Sequence, residues 1–496
     1  MRKELSAISP NKKEFKTDKM KVPVVFHASD ELLPNEETFS QLENLAKDDR
    51  LFHHIAVMSD VHPKPGRKNP TGTAVASKNF LFPQINDTAP NCGMRFIKTD
   101  LDENTSPEKI DELFQELVKA IPTKKYVGTK IPYDLAIDIG QKGIAPLKEH
   151  FKTRIQNEIE NTSHNGNFSD PETTRREILD VIPKFFFKIG RYRLGILGAA
   201  GNHFLDLMKI TEIKDTVTAE KLGVKEGQYI FMIHTGSGLL GQYASYMYTP
   251  KTKEHLSQKI MLKIGTTFFG SQMKPVYNHL SGKIKDYQNK DEFFGYDDQS
   301  LEGRMFIRAH KAVANFGFAN RAVITHNLDQ TLEKVFGKQI NLDLLYDISH
   351  ISINKEKHFN EDVWVHRNGA VRAYGPKMMS DHPVFSSTGE PVFIPSSMST
   401  PAYIGVGTDQ NTSSFFSAGH GTGRKRDAGK DVPRNKKELR ERVEKSNVKL
   451  YNAKSKGVIL QDSGYYKDIE EVISGMEANK IIKSVAKMQP VAVLMY

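Results

Sequence analysis

The chain has 496 residues, of which 38% are hydrophobic and 26% charged, the balance of a globular protein that buries a sizeable core. No apolar run reaches the roughly 18 residues of a membrane span, and the first residues lack the apolar segment of a secretory signal. The single cysteine cannot form an intrachain disulfide, which is typical of a reducing compartment. We therefore expect a cytoplasmic protein without a membrane partner.

The net charge of +10 is concentrated near the C-terminal end. Residues 421–457 contain 13 Lys/Arg and 5 Asp/Glu, a local excess of +8. Such a basic segment suits a polyanionic partner. A solvated helix face explains the same composition equally well, so charge alone leaves both interpretations open.

The first 200 residues predict strands followed by helices. After a polar segment over residues 1–50, apolar runs predict strands and amphipathic spacing predicts helices. The predicted strands are Phe52–Met58, Thr73–Ser77 and Asn79–Phe82, and the predicted helices are Asp111–Ala120, Ala145–Glu160 and Arg175–Ile182. Residues 105–190 are therefore expected to form a mainly helical insertion, with the polar stretch 161–170 as a surface loop.

Four later apolar runs each stop at or shortly before a histidine, and short runs bounded by turn residues are typical of core strands. The runs are Leu194–Gly198 before His203, Tyr229–Ile233 before His234, Leu344–Ile348 before His350, and Val363–Val365 before His366. Between them, Gly303–Leu328 carries helical spacing. Because strands and helices mix without a clean βαβ alternation, the sequence predicts an α+β fold.

The lone Cys92 lies in a Pro-Asn-Cys-Gly turn, where a backbone can approach a ligand closely. Thiolate and imidazole together suit a transition metal such as zinc, manganese or cobalt. Cys92, His203, His234 and His350 could form such a set. A lone buried cysteine is more often a small hydrophobe, and a histidine at a strand end is more often structural. The long spacing leaves both interpretations open.

His420 lies in the stretch Ser417-Ala-Gly-His-Gly-Thr-Gly-Arg-Lys-Arg426, between glycines and ahead of three cations. Glycines allow backbone N–H groups to face an anion, and the cations suit phosphate. A histidine nucleophile that attacks a phosphoryl group needs this setting. The alternative is a glycine-rich surface turn beside a basic helix.

Short motifs follow one another in a fixed order from about Ile55 to the C-terminus. They are Asp60-Val-His62, Asn91-Cys-Gly-Met94, Gly201-Asn-His-Phe204, His234-Thr-Gly-Ser237, Ala314-Asn-Phe316 with Ala319-Asn-Arg321, Tyr346-Asp-Ile-Ser-His350, Val365-His-Arg-Asn-Gly-Ala370, Ile394-Pro395 with Ser397-Met398, Ser417-Ala-Gly-His-Gly421 and Tyr466-Lys-Asp-Ile469. In number and order they resemble the RtcB family of RNA-splicing ligases.

The resemblance implies one large α+β domain over residues 1–496, in which mixed β-sheets surround a metal and nucleotide cleft with helices at the periphery. It implies a ligase that joins RNA 3′-phosphate or 2′,3′-cyclic phosphate ends to 5′-hydroxyl ends in tRNA splicing or RNA repair. GTP and Mn²⁺ are the implied cofactors, with two metal sites. A histidine is guanylylated, GMP moves to the RNA 3′-phosphate, and the 5′-hydroxyl displaces it. The family also allows an activating protein partner.

The resemblance also implies roles for individual residues. His420 is the implied guanylylated nucleophile, and Cys92 is the implied bridge between two metal ions, with His203, His234 and His350 as further ligands. The implied nucleotide contacts are Asn202, Phe204, Asp206, Pro395, Ser396, Ser397, Met398, Gly421, Thr422, Gly423 and Tyr466. Weaker implied RNA or phosphate contacts are His62, Arg424 and Arg426.

The sequence departs from the family pattern at several positions. Ala89 stands where the family has a metal-binding Asp, and the loss of this carboxylate weakens one metal site. Asp87, two residues earlier, is a weak candidate to replace it. Gly238 stands where the family has an anion-binding Arg. Two positions in the nucleotide pocket also differ: Ala402 replaces a serine, and Met495 replaces a lysine that meets guanine.

Three functional hypotheses follow. The favoured one is an active ligase, because the nucleophile, the thiol and the three imidazoles are all retained. The departures favour a non-catalytic RNA-end binder, or a ligase with altered nucleotide or metal preference. A metal-dependent phosphoesterase built on the same site is the third.

Overall fold

The computed structural model describes residues 2–64, 66–86, 90–124, 127–198, 202–252, 256–288, 290–425 and 431–496. The strands are β1 (Leu5–Ser9), β2 (Lys12–Phe15), β3 (Val24–Phe26), β4 (Leu51–His62), β5 (Thr71–Ser77), β6 (Phe80–Leu81), β7 (Gly93–Asp102), β8 (Phe204–Ile213), β9 (Gln228–Thr235), β10 (Tyr296–Asp297), β11 (Leu342–Ser349), β12 (Ile351–His358), β13 (Glu361–Asn368), β14 (Ala370–Arg372), β15 (Pro391–Ile394), β16 (Ala402–Gly407), β17 (Ser417–Gly419), β18 (Lys449–Asn452) and β19 (Ile482–Met495).

The helices are α1 (Glu36–Ala46), α2 (Pro107–Ala120), α3 (Tyr133–Lys142), α4 (Ala145–Phe151), α5 (Arg175–Val181), α6 (Lys184–Gly190), α7 (Thr216–Leu222), α8 (Gly238–Tyr248), α9 (Leu256–Phe268), α10 (Lys274–Asp286), α11 (Leu301–Phe336), α12 (Lys436–Lys445) and α13 (Ile469–Ala478). Five of these helices, α2 to α6, lie within residues 105–190, and the others lie between strands elsewhere in the chain. None of the helices in the described part of the chain has the length and apolarity to cross a membrane.

Two mixed sheets form the centre of the molecule. The first has the order β1-β2-β3-β4-β5-β13-β12, and the second has the order β11-β7-β9-β8-β19-β16-β15, with β18 paired to β19. Side chains of both sheets share one core, which includes Met58 and Val365 from the first and Phe96 and Met232 from the second. The mixed sheets with surrounding helices confirm the predicted α+β fold.

Helix α11 is the long helix that the spacing after Gly303 predicts, and it is longer than predicted. It begins at Ser300, whose side chain accepts a hydrogen bond from the Gly303 N–H, and it ends at Gly337 in the left-handed conformation. Its buried face packs against α2, α3, α5 and α8. Gly317 lets the helix approach the chain near the metal-ligand loop, since a Cβ there would lie 2.3 Å from the Asn91 carbonyl oxygen.

Three local predictions are wrong. The helix predicted over Ala145–Glu160 ends at Phe151, because Lys152 takes the left-handed conformation. The predicted strand Leu194–Gly198 is absent, because Gly195 and Gly198 have positive φ angles that an extended strand excludes. The stretch 161–170 is not a surface loop, since Thr162 and Ser163 are buried and Phe168 is part of a core.

Candidate active site

Strand ends bring the four predicted metal ligands together. Cys92 directly precedes β7, and His234 lies on the neighbouring strand β9, where Gly93 pairs with Thr235. Phe204, the residue after His203, pairs with His234. On the other side of β7, His350 follows β11 and its N–H donates to the Cys92 carbonyl at 2.9 Å. The sheet register therefore determines this cluster.

The ligand atoms of the cluster face one another at short range. The Cys92 Sγ atom lies 3.4 Å from His203 Nε2 and 3.5 Å from His234 Nε2. His234 Nε2 lies 3.0 Å from His350 Nε2. The Sγ atom and the nearer ring nitrogens of His234 and His350 all lie within 4.8 Å of one another, the one group of metal-ligand geometry among the described residues. These three atoms could hold one cation, whereas His203, which contacts the sulfur, is not part of this group.

Burial determines the protonation of these groups. Desolvation lowers the pKa of His203 to about 4 and lowers the pKa values of His234 and His350 well below the usual range. The His203 Nδ1–H donates to the Leu197 carbonyl at 2.9 Å, which leaves Nε2 as the acceptor that faces the thiol. Desolvation also raises the pKa of the Cys92 thiol to about 11. Without a metal, the Cys92 thiol and the three imidazoles are therefore neutral. A bound cation would stabilise the thiolate form of Cys92.

The buried guanidinium of Arg321 supports the ligand loops from helix α11. It donates to the Asn91 carbonyl at 3.2 Å and to the Thr235 carbonyl at 2.7 Å, next to Cys92 and His234 in sequence. It also donates to the Asn91 side chain at 2.9 Å and to the fully buried carboxylate of Asp347 at 2.8 Å. One side chain therefore fixes the backbone beside two candidate ligands.

His420 lies against the metal-ligand cluster and is held by Asp60. Its ring stacks on His350, with ring centroids 4.5 Å apart. The Nδ1–H of His420 donates to Asp60 Oδ2 at 2.8 Å, and the His420 backbone N–H donates to the same oxygen at 3.1 Å. Among the residues described, none forms a hydrogen bond with Nε2. The geometry leaves the Nε2 lone pair available as a nucleophile.

A pocket with an empty volume of about 860 Å³, its mouth included, opens beside His420 and His234. The structure brings all the predicted nucleotide contacts to its wall. These are Asn202, Phe204, Asp206, Pro395, Ser396, Ser397, Met398, Gly421, Thr422, Gly423 and Tyr466. Residues from four separate parts of the chain thus meet in one cavity.

The pocket lining is rich in methionine and includes Met94, Met208, Met232, Met398 and Met495. Met208 and Met232 lie beside Asp206, further along β8 and β9 than the Phe204–His234 pair, and we call this part of the lining the far end. Asp206 is the acidic side chain of this wall, it is buried, and its Oδ1 atom has no hydrogen-bond partner among the described residues. Desolvation raises the pKa of the Asp206 carboxyl well above its usual range. This end suits a planar, largely apolar group that can hydrogen bond to one carboxyl.

Of the three residues predicted as weaker RNA or phosphate contacts, the structure describes two. His62 and Arg424 both line the pocket. The His62 Nδ1–H donates to the Asp60 carbonyl at 2.9 Å, and the Arg424 guanidinium lies over the Tyr466 ring, 4.3 Å from its centroid. Arg426 lies outside the described residues, as do Asp87 and Ala89.

The basic segment begins at the pocket mouth and continues into α12. Leu439 and Val443 of this helix pack in one cluster with Met398 and Met495 of the pocket wall. Lys437, on the same helix, has a side chain that is 88% exposed. The helix therefore joins the base of the pocket to a basic surface.

The other three positions at which the chain departs from the family pattern all lie near the site. Ala402 and Met495 line the pocket. Gly238 begins α8 just after the His234 strand, and a Cβ added there would meet no atom within 4 Å among the described residues. The site has space for a side chain, but Gly238 has a φ of +57°, a backbone conformation that other residues rarely adopt.

Two functional residues were missed by sequence reasoning, although both stand in the quoted motifs. Asp60 is the partner of His420, and Arg321 is the support of the ligand loops. A carboxylate at the end of a buried strand and an arginine on the apolar face of a helix were the available signals, since each needs a partner when buried.

Comparisons with known proteins agree with these observations. A family model described as tRNA-splicing ligase RtcB matches residues 41–495. The chain is 29% identical to the tRNA-splicing ligase RtcB of Methanococcus maripaludis, with 96% of this chain and 95% of that relative covered. The Thermococcus kodakarensis relative of the same name is 28% identical with the same coverage. The Methanopyrus kandleri relative is 29% identical over 90% of this chain but 45% of its own length, so this chain spans less than half of it.

Proposed function

This chain belongs to the RtcB family and is an RNA ligase, and we propose that it works through a covalent histidine–GMP intermediate at His420. The substrates are RNA ends with a 3′-phosphate or a 2′,3′-cyclic phosphate and RNA ends with a 5′-hydroxyl. GTP is the proposed nucleotide and Mn²⁺ the proposed metal, in tRNA splicing or RNA repair.

The observation that carries the proposal is the hydrogen bond between His420 and Asp60. Because the Nδ1–H donates to Asp60 at 2.8 Å, the neutral ring keeps its lone pair on Nε2. A buried carboxylate also stabilises the positive charge that the ring gains when Nε2 forms a bond. The ring lies in the wall of the pocket, where a nucleotide phosphate can reach it.

The donor set beside His420 fits a divalent metal. Cys92 Sγ and ring nitrogens of His234 and His350 lie within 4.8 Å of one another, and His203 Nε2 lies 3.4 Å from the same sulfur. Bound cations supply Lewis-acid neutralisation of phosphate charge. Since Ala89 contributes no carboxylate, the described set is softer than manganese prefers, and zinc or cobalt fits it as well.

The proposed reaction has three steps, and in each step one bond to phosphorus forms while another breaks. Nε2 attacks the α-phosphorus of GTP, the N–P bond forms, and pyrophosphate leaves. An oxygen of the RNA 3′-phosphate then attacks the same phosphorus and Nε2 is released. The 5′-hydroxyl attacks the RNA phosphate, its proton passes to water, and GMP leaves. A cyclic phosphate is first opened by water to the 3′-phosphate.

The basic segment supports RNA as the partner at the pocket mouth. Helix α12 presents exposed lysines close to the nucleotide pocket, and such a surface attracts a phosphate backbone. We expect RNA affinity to fall steeply with salt, by about one decade per decade of salt for each phosphate contact.

The experiment that tests the proposal is adduct formation with α-³²P-labelled GTP, ATP, CTP and UTP in the presence of Mn²⁺. We expect a protein-bound label that is stable to base and labile to acid, as a phosphoramidate is. His420→Ala should abolish it. His326→Ala, a half-exposed histidine outside the site, is the matched control and should label normally.

The alternative is an RNA-end-binding protein without catalysis, which Ala89, Gly238 and Met495 favour. In that case the chain would bind 3′-phosphorylated RNA but would not label with any of the four nucleotides. Release of inorganic phosphate from that RNA without joining would instead indicate a phosphoesterase.

A further inference from the structure

Lys467 is a buried cation next to the nucleophile, and neither the metal cluster nor the nucleotide pocket accounts for it. It follows Tyr466 in the Tyr-Lys-Asp motif and is only 9% exposed. A lysine is almost never buried unless its ammonium is paired. Its partners therefore identify what it does.

The ammonium group of Lys467 uses all three of its donors on backbone carbonyls. Nζ donates to Ser59 at 2.7 Å, to Val61 at 3.0 Å and to Leu32 at 2.8 Å. Ser59 and Val61 are the two residues that flank Asp60. Lys467 thus contacts the backbone on both sides of the carboxylate that binds His420.

The strand needs this support at Asp60 because its pairing with β5 is interrupted there. Val57 pairs with Thr73 and His62 pairs with Thr71, so the four residues 58–61 of β4 face the single residue Gly72. Such a bulge leaves carbonyls without their ladder donors, and a buried carbonyl needs a donor from elsewhere. The Lys467 ammonium supplies that donor at Ser59 and Val61.

The loop after His420 closes onto the same point. The Lys467 backbone N–H donates to the Gly423 carbonyl at 3.2 Å. A Cβ at Gly423 would lie 2.0 Å from the Asp60 carbonyl oxygen, and one at Gly419 would lie 3.1 Å from the Asp60 carboxylate. The bulge, the histidine loop and the Lys467 segment are therefore in mutual contact.

We propose that Lys467 is a positioning residue that fixes Asp60 and, through it, the orientation of the His420 ring. The inference rests on the proposed role of His420. Lys467 does not touch the nucleotide pocket through its ammonium, since all three donors go to backbone carbonyls. Burial lowers the pKa of Lys467 to about 8, while Asp60 opposes that shift, so the ammonium keeps its proton at neutral pH.

A double-mutant cycle on the rate of adduct formation tests this inference. Lys467→Met removes the donors and keeps the length of the side chain. We expect about 10- to 100-fold slower labelling at saturating GTP, the cost of a misplaced nucleophile, with the half-saturating GTP concentration changed less than about 3-fold. In an Asp60→Ala background the same substitution should slow labelling less than about 3-fold. Lys467→Arg, which keeps the cation, should recover most of the rate.

Two results would overturn the inference. One is a rate in Lys467→Met within about 3-fold of the wild type. The other is an equal loss in both backgrounds, which a general structural role predicts, because the lysine would then act independently of Asp60. If Lys467→Met does not fold, Lys467→Gln takes its place in the cycle, with an expected loss of about 10-fold that disappears when Asp60 is absent.

A readout without nucleotide separates this inference from the proposed function. The ¹⁵N shifts of the His420 ring, assigned against His420→Ala, report whether the proton resides on Nδ1. We expect the Nδ1–H form in the wild type and a mixture in Lys467→Met or its replacement Lys467→Gln. Absence of any adduct in the wild type would defeat the proposed function alone, whereas an unchanged tautomer in the variant would defeat the role of Lys467.

Discussion

The two ends of the pocket are built on different principles. At the metal end, Arg321 is tied to the backbone of Asn91 and Thr235 and Asp60 to the backbone of His420, although Asp60 Oδ1 and His350 Nδ1 have no hydrogen-bond partner among the described residues. At the far end, one carboxyl without a described partner on Oδ1, Asp206, lies among methionines, whose side chains adapt to many shapes.

The difference shows where this chain can change without losing its chemistry. A substitution at the metal end removes one member of a connected network and leaves its partners buried and unpaired. A substitution at the far end changes one part of an adaptable lining. Ala402 and Met495 line the pocket, and we expect them to alter ligand preference more than they disturb the network around His420.

The largest expected effect comes from breaking the network at Arg321. Arg321→Met leaves the Asp347 carboxylate with one weaker partner and removes donors from two carbonyls. We expect the free energy of unfolding to fall by about 3–5 kcal/mol, measured by denaturant unfolding. Arg154→Met, whose ion pairs are partly exposed, is the control and should cost less than about 1 kcal/mol. Equal losses in the two variants would mean that Arg321 contributes no more than a partly exposed ion pair.

The next effect concerns the metal itself. Cys92→Ala removes the sulfur that lies within 3.5 Å of two imidazoles. We expect the affinity for zinc, cobalt or manganese to fall by at least about 100-fold in metal titrations, since loss of even a supporting group costs 10- to 100-fold. His326→Ala should bind metal normally. A bound-metal content that does not change in Cys92→Ala would reject the thiolate as a ligand.

The sequence predicted the elements that carry the site better than their contacts. Apolar runs predicted β4, β9, β11 and β13 because their side chains are buried on both faces, and helical spacing predicted α11. The run Leu194–Gly198 has the same composition but positive φ angles at two glycines, which a one-dimensional pattern cannot reveal.

The motifs contain both the site residues and their supports, but the sequence does not indicate which residues the supports contact. Asp60 meets His420 across 360 positions of sequence, and Lys467 meets Ser59 across 408. Long-range pairs of this kind leave no periodic trace, because the fold and not the local spacing brings them together. Residue types and strand ends suggested the ligands and the resemblance assigned their roles, whereas only the structure located what orients them.

A smaller effect on the stability of the folded protein is expected from Asp206, and this effect depends on pH. Because burial raises the pKa of this carboxyl above its unfolded value, the folded protein retains a proton that the unfolded chain has lost. Asp206 therefore destabilises the empty protein increasingly as pH rises above about 4, its unfolded pKa. Asp206→Asn removes this contribution, so the melting temperature of the variant should rise relative to that of the wild type as the pH increases from 5 to 8. A difference that is constant over this range would indicate that Asp206 has a cationic partner.

The smallest expected effect is an increase in nucleotide preference when Met495 is replaced by lysine. In β19 this residue pairs with Phe204, two positions from Asp206 on the neighbouring strand. Met495→Lys places a cation there, which lowers the pKa of Asp206 and adds a donor for the base. We expect the preference for GTP over ATP in adduct formation to rise about 10-fold, the size of one added hydrogen bond to a charged group. Met495→Leu keeps the apolar wall and should leave the preference unchanged. A Met495→Lys variant that lost adduct formation altogether would mean that the far end is as interdependent as the metal end.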